Sequence, residues 1–424
     1  LEVTTRPPSL DFIKKKLDGG VLTGEEIKQI IDDIMGQRLS DAEISAFISG
    51  IYTKGMSMDE TASLTTAIYL SGETLVFKKK PVVSEHSVGG VNGDRVSILL
   101  VAIIASLGLT IPKTSSRAIS SAAGTADVIE VFAPVALEKK RIEDTVNKTG
   151  GCLAWGGALC IAPAEEKLIK IRNSLRLDPK SLLLSSILAK KKAEGAQYVL
   201  VDVPCGRGAK VERIEEARSL AREFEAIGAH LGMKVDCVIT DGSEPLIREI
   251  GPNLEGRAVL RALSSRGREE PQLVEKACLM SGVLLRMVKG ITKEEGYNIA
   301  MQQILSGRAF EKFKEIIRAQ GGNPRIRVED IPLGRFSKKI RSEEEGKISH
   351  IDNVNVSRIC RVLGAPSDKK AGLVLKVNKG DEIKRGTELF ELYAENEAKL
   401  NRAIESLKRY PLTEIERMLL DVVE

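Results

Sequence analysis

Aromatic residues are scarce in this chain: they make up 4% of its 424 residues, with a single tryptophan. That leaves too few ring faces for the stacking platforms that hold single-stranded nucleic acid. Histidine is rarer still, at three, and the six cysteines (Cys152, Cys160, Cys205, Cys237, Cys278, Cys360) form no C-x-x-C pair. No metal site is expected. A signal peptide and an apolar run of membrane-spanning length are also missing, so the reading is a soluble, cytoplasmic protein with reduced thiols and no membrane partner. One-sided charge is lacking too. The net charge is +5, with acidic and basic residues interspersed, which argues against nucleic acid as a partner and suits steering of a phosphorylated small molecule.

What is present is a globular balance of 42% hydrophobic and 29% charged residues. The length exceeds what one core supports, so two or three domains are expected. Residue 1 is leucine, and an N-terminal domain preceding it is allowed for.

The first eighty residues carry three capping boxes at equal spacing: Thr23 with Glu26, Ser40 with Glu43, and Ser57 with Glu60. Apolar residues follow each at helical spacing, predicting a small helical bundle. From Pro81 onward, short β-branched runs (Val82-Val83, Leu109 to Ile111, Cys152 to Trp155, Tyr198 to Val203, Val235 to Thr240) alternate with helical stretches. That pattern predicts an α/β lobe with a mainly parallel sheet. The helical excursion after Pro163 is expected to return to the N-terminal bundle, which would leave a cleft between two lobes. The expected organisation is therefore a helical lobe (1–75 and 163–193), a larger α/β lobe (80–162 and 194–335) and a small C-terminal α+β domain (345–424). Within the last, residues 373–390 resemble a half-repeat of the biotinyl and lipoyl modules but lack their modifiable lysine, so a structural appendage is expected.

Two segments carry the chemistry. Ser84-Glu85-His86-Ser87-Val88-Gly89-Gly90-Val91-Asn92-Gly93-Asp94 reads as strand, glycine turn and the start of a helix. Thr114-Ser115-Ser116-Arg117-Ala118-Ile119-Ser120-Ser121-Ala122-Ala123-Gly124-Thr125 follows another strand with hydroxyls and small residues. Backbone N–H groups and hydroxyls converging at a helix N-terminus would form an anion cradle, and phosphate suits it best. Ligands of parallel sheets lie beyond the carboxyl ends of the strands, where both segments fall.

Together the segments resemble the thymidine/pyrimidine-nucleoside phosphorylase family over nearly the whole chain. The run Ser115 to Glu130 carries the likeness most specifically. Ala118, Ser120 and Ser121, the insertion within Gly89 to Asp94, and Trp155-Gly156-Gly157-Ala158-Leu159 are similar to its archaeal branch, which cleaves AMP with orthophosphate to adenine and ribose 1,5-bisphosphate. The resemblance implies an enzyme with orthophosphate as co-substrate and no cofactor. It assigns the attacking phosphate to Ser87, Ser97, Ser115 and Thr125. It assigns the nucleotide to Gly90, to Ser116, Arg117, Ala118, Ile119, Ser120 and Ser121, and to Thr125, Ser186, Lys190 and Lys210. Asp178 would protonate the leaving base and His86 would contact base or sugar. Lys190 reads equally as part of a solvated basic face with Lys191 and Lys192. A nucleotide, orthophosphate and a second copy of the chain, in a dimer through the helical lobe or a larger assembly, are the implied partners.

Two departures stand out. Glu85 occupies a position where the family ordinarily has a lysine that contacts phosphate, so either another cation compensates, Arg95 and Arg117 being nearest in sequence, or phosphate binding is impaired. Ile171 stands where nucleoside enzymes have a pyrimidine-contacting arginine. The alternatives are accordingly a pyrimidine-nucleoside phosphorylase and a nucleotide-binding paralogue with impaired catalysis.

Overall fold

The computed structural model describes residues 6–118, 121–159 and 161–416. All three capping boxes form. Thr23, Ser40 and Ser57 each accept a backbone N–H from the glutamate three residues on, and that glutamate accepts the cap's own N–H in return. They start α2 (Gly24–Met35), α3 (Asp41–Lys54) and α4 (Met58–Leu70). A further helix, α1 (Ser9–Leu17), precedes them and is tied down from inside: buried Glu60 accepts Lys16 Nζ at 2.8 Å and the Leu22 N–H at 2.9 Å.

The α/β lobe follows with β1 (Val83–Ser87), α5 (Val96–Ser106), β2 (Ile111–Ser115), α6 (Thr125–Ile129), α7 (Lys139–Thr149) and β3 (Gly151–Trp155). The chain then crosses to α8 (Pro163–Leu175) and α9 (Lys180–Ala193). Leu168, Ile171, Leu182 and Ala189 of these helices share one apolar core with Ile27, Ile44, Phe47 and Leu64 of the bundle, so α8 and α9 pack against α2, α3 and α4. It returns through β4 (Tyr198–Cys205), α10 (Ile214–His230) and β5 (Lys234–Asp241), then β6 (Glu249–Ile250) and α11 (Pro252–Ser264), α12 (Pro271–Lys289), α13 (Lys293–Leu305) and α14 (Arg308–Ala319).

Strands β1, β4 and β5 pair in parallel in the order β1-β4-β5, as do β2 and β3. A parallel bridge between Val82 and Thr110 joins the two groups. The chain therefore steps from β1 to β2 and β3 on one side, then to β4 and β5 on the other, and β1 stands beside the switch point where parallel sheets bind ligands. Helix α5 is apolar nearly all round because it is buried all round, from Val96 to Ala105.

The C-terminal unit holds β7 (Phe336–Arg341), β8 (Gly346–Ile351), α15 (Asn353–Leu363), β9 (Gly372–Leu375), β10 (Glu382–Ile383), β11 (Glu388–Ala394), α16 (Glu397–Leu407) and β12 (Thr413–Glu416). Its strands are antiparallel, in two sheets of order β6-β9-β11-β7 and β10-β8-β12. The first of these takes β6 from the α/β lobe, so backbone hydrogen bonds stitch the two units together.

Candidate active site

The site is assembled at the carboxyl ends of β1 and β2. Side chains alternate along a strand, so Glu85 and Ser87 of β1 point to one face and Ser84 and His86 to the other. On β2, Lys113 and Ser115 share a face, and Thr114 takes the opposite one. The strand runs through Thr114 and Ser115, whereas the sequence reading ended it at Ile111; these hydroxyls are pleated, not looped.

On the α5 face, Ser97 at the start of α5 donates to Glu85 Oε2 at 2.6 Å, and Lys113 Nζ reaches the same oxygen at 3.1 Å and the Glu85 carbonyl at 2.7 Å. Glu85 is 1% exposed and Lys113 5%. The cation that offsets Glu85 is therefore Lys113. Arg95 and Arg117 are engaged elsewhere: Arg95 with Glu255, Thr125 Oγ1 and the Ala123 carbonyl, and Arg117 with Asp127, Glu130 and the face of Trp155. Above this floor, Ser87 Oγ accepts the Gly89 N–H at 3.2 Å, and Ser115 Oγ is buried without a partner.

The opposite face holds a second buried acid–lysine pair. Glu194 accepts Lys191 Nζ at 2.8 Å, Ser84 Oγ at 2.6 Å and the Thr114 N–H at 3.1 Å. Lys191 is 1% exposed, so the solvated basic face read for residues 190–192 does not exist. Burial pushes the Lys191 ammonium down to about 8 against the pull of Glu194. His86 lies here with Nδ1 buried and unpartnered. Burial and then the charges of Lys191, Lys113, Lys190 and Lys210 hold it well below the usual histidine range, so it is a neutral ring with a free nitrogen.

The hydroxyl segment is pinned to the protein itself. Asp127 Oδ2 accepts the N–H groups of Ala118 and Gly124 at 2.8 and 2.9 Å, and a Cβ on Gly124 would stand 2.5 Å from the Ala118 nitrogen. The anion cradle expected at this helix start is thus filled by a protein carboxylate, and α6 is only five residues long. Ser116 is exposed, Ser121 Oγ donates to the Ala123 carbonyl, and Ile119 and Ser120 lie outside the described residues. Gly90, at φ +102°, approaches the chain and not an open space: an added Cβ would stand 2.7 Å from the Lys210 nitrogen.

Across the cleft, Asp178 sits between α8 and α9, 3.1 Å from Arg172 Nη1 and half exposed. The desolvation that an acid role calls for is therefore lacking in this arrangement. Lys190 pairs with buried Glu165 at 2.9 Å, Ser186 is buried on α9, and Ile171 is packed in the helical core. Lys210 has no ion-pair partner among the described residues. Its ammonium is pushed down by burial of its surroundings, against the charge of Asp178, although the side chain itself remains solvent-exposed at the cleft.

Lys113, Lys191, Glu194 and Asp202 escaped the sequence reading. Asp202, in register with Ser87, accepts Thr240 Oγ1 at 2.7 Å and meets Lys276, which also holds Asp94; burial pushes its carboxyl up to about 6. Period-two alternation already placed Lys113 beside Ser115, and that signal was available.

This architecture, a helical bundle clasping a parallel α/β lobe with Ser87, Ser97 and Ser115 gathered at the switch point, defines a class of glycosyl-transferring proteins. Residues 10–72 match the model of the glycosyl transferase family helical bundle domain, residues 79–310 that of its a/b domain, and residues 347–411 the pyrimidine nucleoside phosphorylase C-terminal domain. The AMP phosphorylase of Pyrococcus furiosus is 46% identical over 99% of this chain and 83% of its own length; that of Thermococcus kodakarensis is 46% identical over 98% and 82%. The chain belongs to the AMP phosphorylase family. Anthranilate phosphoribosyltransferase from Thermus thermophilus shares the fold at TM-score 0.63 and 19% identity, covering 74% of this chain and 100% of that one. The Saccharomyces cerevisiae enzyme of the same name does so at 0.60 and 15%, covering 74% and 98%. No described helix is long and apolar enough to cross a membrane.

Proposed function

We propose that this chain phosphorolyses nucleoside 5′-monophosphates, AMP foremost, giving free base and ribose 1,5-bisphosphate. Orthophosphate attacks C1′ from the face opposite the base, the C1′–N bond breaks, and Asp178 passes its proton to the departing base once the lobes approach. Ser87, Ser115 and Thr125 hold the attacking phosphate, with Lys113, Glu85 and the Ser97 hydroxyl that donates to Glu85 beneath it. His86, Ser116, Arg117, Ser121, Ser186 and Lys190 surround the nucleoside. Orthophosphate is the co-substrate, and no cofactor takes part.

The observation that carries this reading is Lys210. It is an exposed cation with no ion-pair partner among the described residues, beside the glycine loop and within reach of the charge of Asp178, a place that suits the 5′-phosphate of a nucleotide and for which a nucleoside has nothing to offer. The names of the relatives support the same substrate. Ile171, packed in the core, supports loss of the pyrimidine-nucleoside mode. Exposed Val21, Tyr52, Met58 and Leu70 on the helical lobe support dimerisation through it.

The test is release of free base from AMP, CMP, UMP, adenosine and thymidine, each with and without orthophosphate. Phosphate-dependent release from monophosphates, with Lys210→Ala raising KM for AMP about 10- to 100-fold, is expected. Release from nucleosides with no effect of Lys210→Ala would overturn it, and nucleotide binding without release would make the chain a non-catalytic binder.

A further inference from the structure

The floor of the anion pocket carries an unusual element for a phosphate site, a carboxylate. Glu85 is buried in β1, with Oε2 taken by Ser97 and Lys113. Its other oxygen, Oε1, has no hydrogen-bond partner among the described residues. Alternation places Glu85 and Ser87 on one face of β1 and Lys113 and Ser115 on the same face of β2, so the carboxylate lies directly beneath the hydroxyls assigned to phosphate. Ser115 Oγ, buried and unpartnered, points to a ligand there.

The pair Glu85–Lys113 makes this floor electrically neutral. Charge attraction from the floor therefore cannot be what selects the ligand, and the pattern of donors and acceptors must. A carboxylate oxygen only accepts. Hydrogen phosphate presents P–O–H groups that can donate to it, whereas sulfate, fully deprotonated at neutral pH, presents acceptors alone. Set against Glu85, sulfate leaves two lone-pair-bearing oxygens facing each other in a buried site, which is the repulsive half of a specificity device.

We propose that Glu85 is a specificity-determining residue of the anion pocket: its buried carboxylate accepts the O–H of a protonated oxyanion such as hydrogen phosphate and turns away fully deprotonated oxyanions such as sulfate. The proposal rests on the phosphate-site reading above, and its test reads binding, not turnover. Titration calorimetry of the full chain at pH 7 with phosphate, arsenate and sulfate is the measurement. Phosphate and arsenate, which both carry an O–H, bind, and sulfate binds about 100-fold or more weakly. Glu85→Gln, whose amide can donate to sulfate, narrows the phosphate-to-sulfate ratio at least about 10-fold. The ratio is the readout because freeing Lys113 raises affinity for every anion alike. Should Glu85→Gln fail to fold, the three-anion series on the unaltered protein decides alone. Equal binding of phosphate and sulfate overturns the proposal and leaves the phosphate site standing. Binding of none of the three overturns both.

Discussion

Asn353, the first residue of α15 in the C-terminal unit, holds Asn92 of the glycine loop from three directions. Its Oδ1 accepts the Asn92 N–H at 3.1 Å and the Asn92 side-chain amide at 3.2 Å, and its carbonyl accepts that amide at 2.6 Å. Its own amide donates to the Gly242 carbonyl after β5. The C-terminal unit thus fixes the glycine loop that follows β1.

Asn353→Ala leaves the buried Asn92 N–H and the Gly242 carbonyl unpaired, while the residue 353 carbonyl still accepts the Asn92 side-chain amide. The expected cost is about 1–3 kcal/mol of stability, with a higher KM for phosphate and a smaller change in kcat. Urea denaturation and steady-state kinetics check both; an unchanged KM would show that the loop keeps its shape unaided.

Glu194 is the sole carboxylate within hydrogen-bond reach of the buried Lys191 ammonium among the described residues. Glu194→Gln strands that charge and should cost about 3–5 kcal/mol, much of it regained when Lys191 is replaced by Met as well. Chemical denaturation of the single and double variants measures this. A loss below about 1 kcal/mol would mean that water reaches Lys191.

His86 has a lowered pKa in the fold and about 6.5 unfolded. The unfolded chain therefore binds more protons below pH 6.5, and the stability that neutral His86 permits is present above that value and lost as pH falls below it. Relative to His86→Gln, the unaltered protein should lose up to about 1.4 kcal/mol per pH unit under pH 6.5. Parallel stability curves for the two would contradict this.

Asp178→Asn should lower kcat about 10²- to 10⁴-fold and leave AMP binding within a few-fold. A nucleotide whose base leaves as a stable anion, needing no proton, should be cleaved almost normally. If that substrate is slowed equally, Asp178 positions Arg172 and does not donate a proton.

The sequence by itself determined whatever is written within a few residues. The capping boxes at Thr23, Ser40 and Ser57, the amphipathic helices behind them, the five parallel strands and the glycine turn at Gly89–Gly93 follow from local hydrogen bonding and from side-chain period. The family likeness, carried by Ser115 to Glu130, was legible too, because a contiguous segment folds under its own constraints. Helix α1 was missed because its anchor, Glu60, lies far along the chain.

Only the tertiary structure decided how the charges pair. Glu85 and Lys113 lie on different strands, Arg95 is drawn to Glu255, and Asp127 turns back onto its own loop; each choice depends on burial, which makes an unpaired charge far more costly than in water. Nearness in sequence favoured Arg95 and Arg117 as partners of Glu85. Parallel pairing of β1 with its neighbours brought Lys113 instead, and with it a buried neutral pair that no linear reading could reveal.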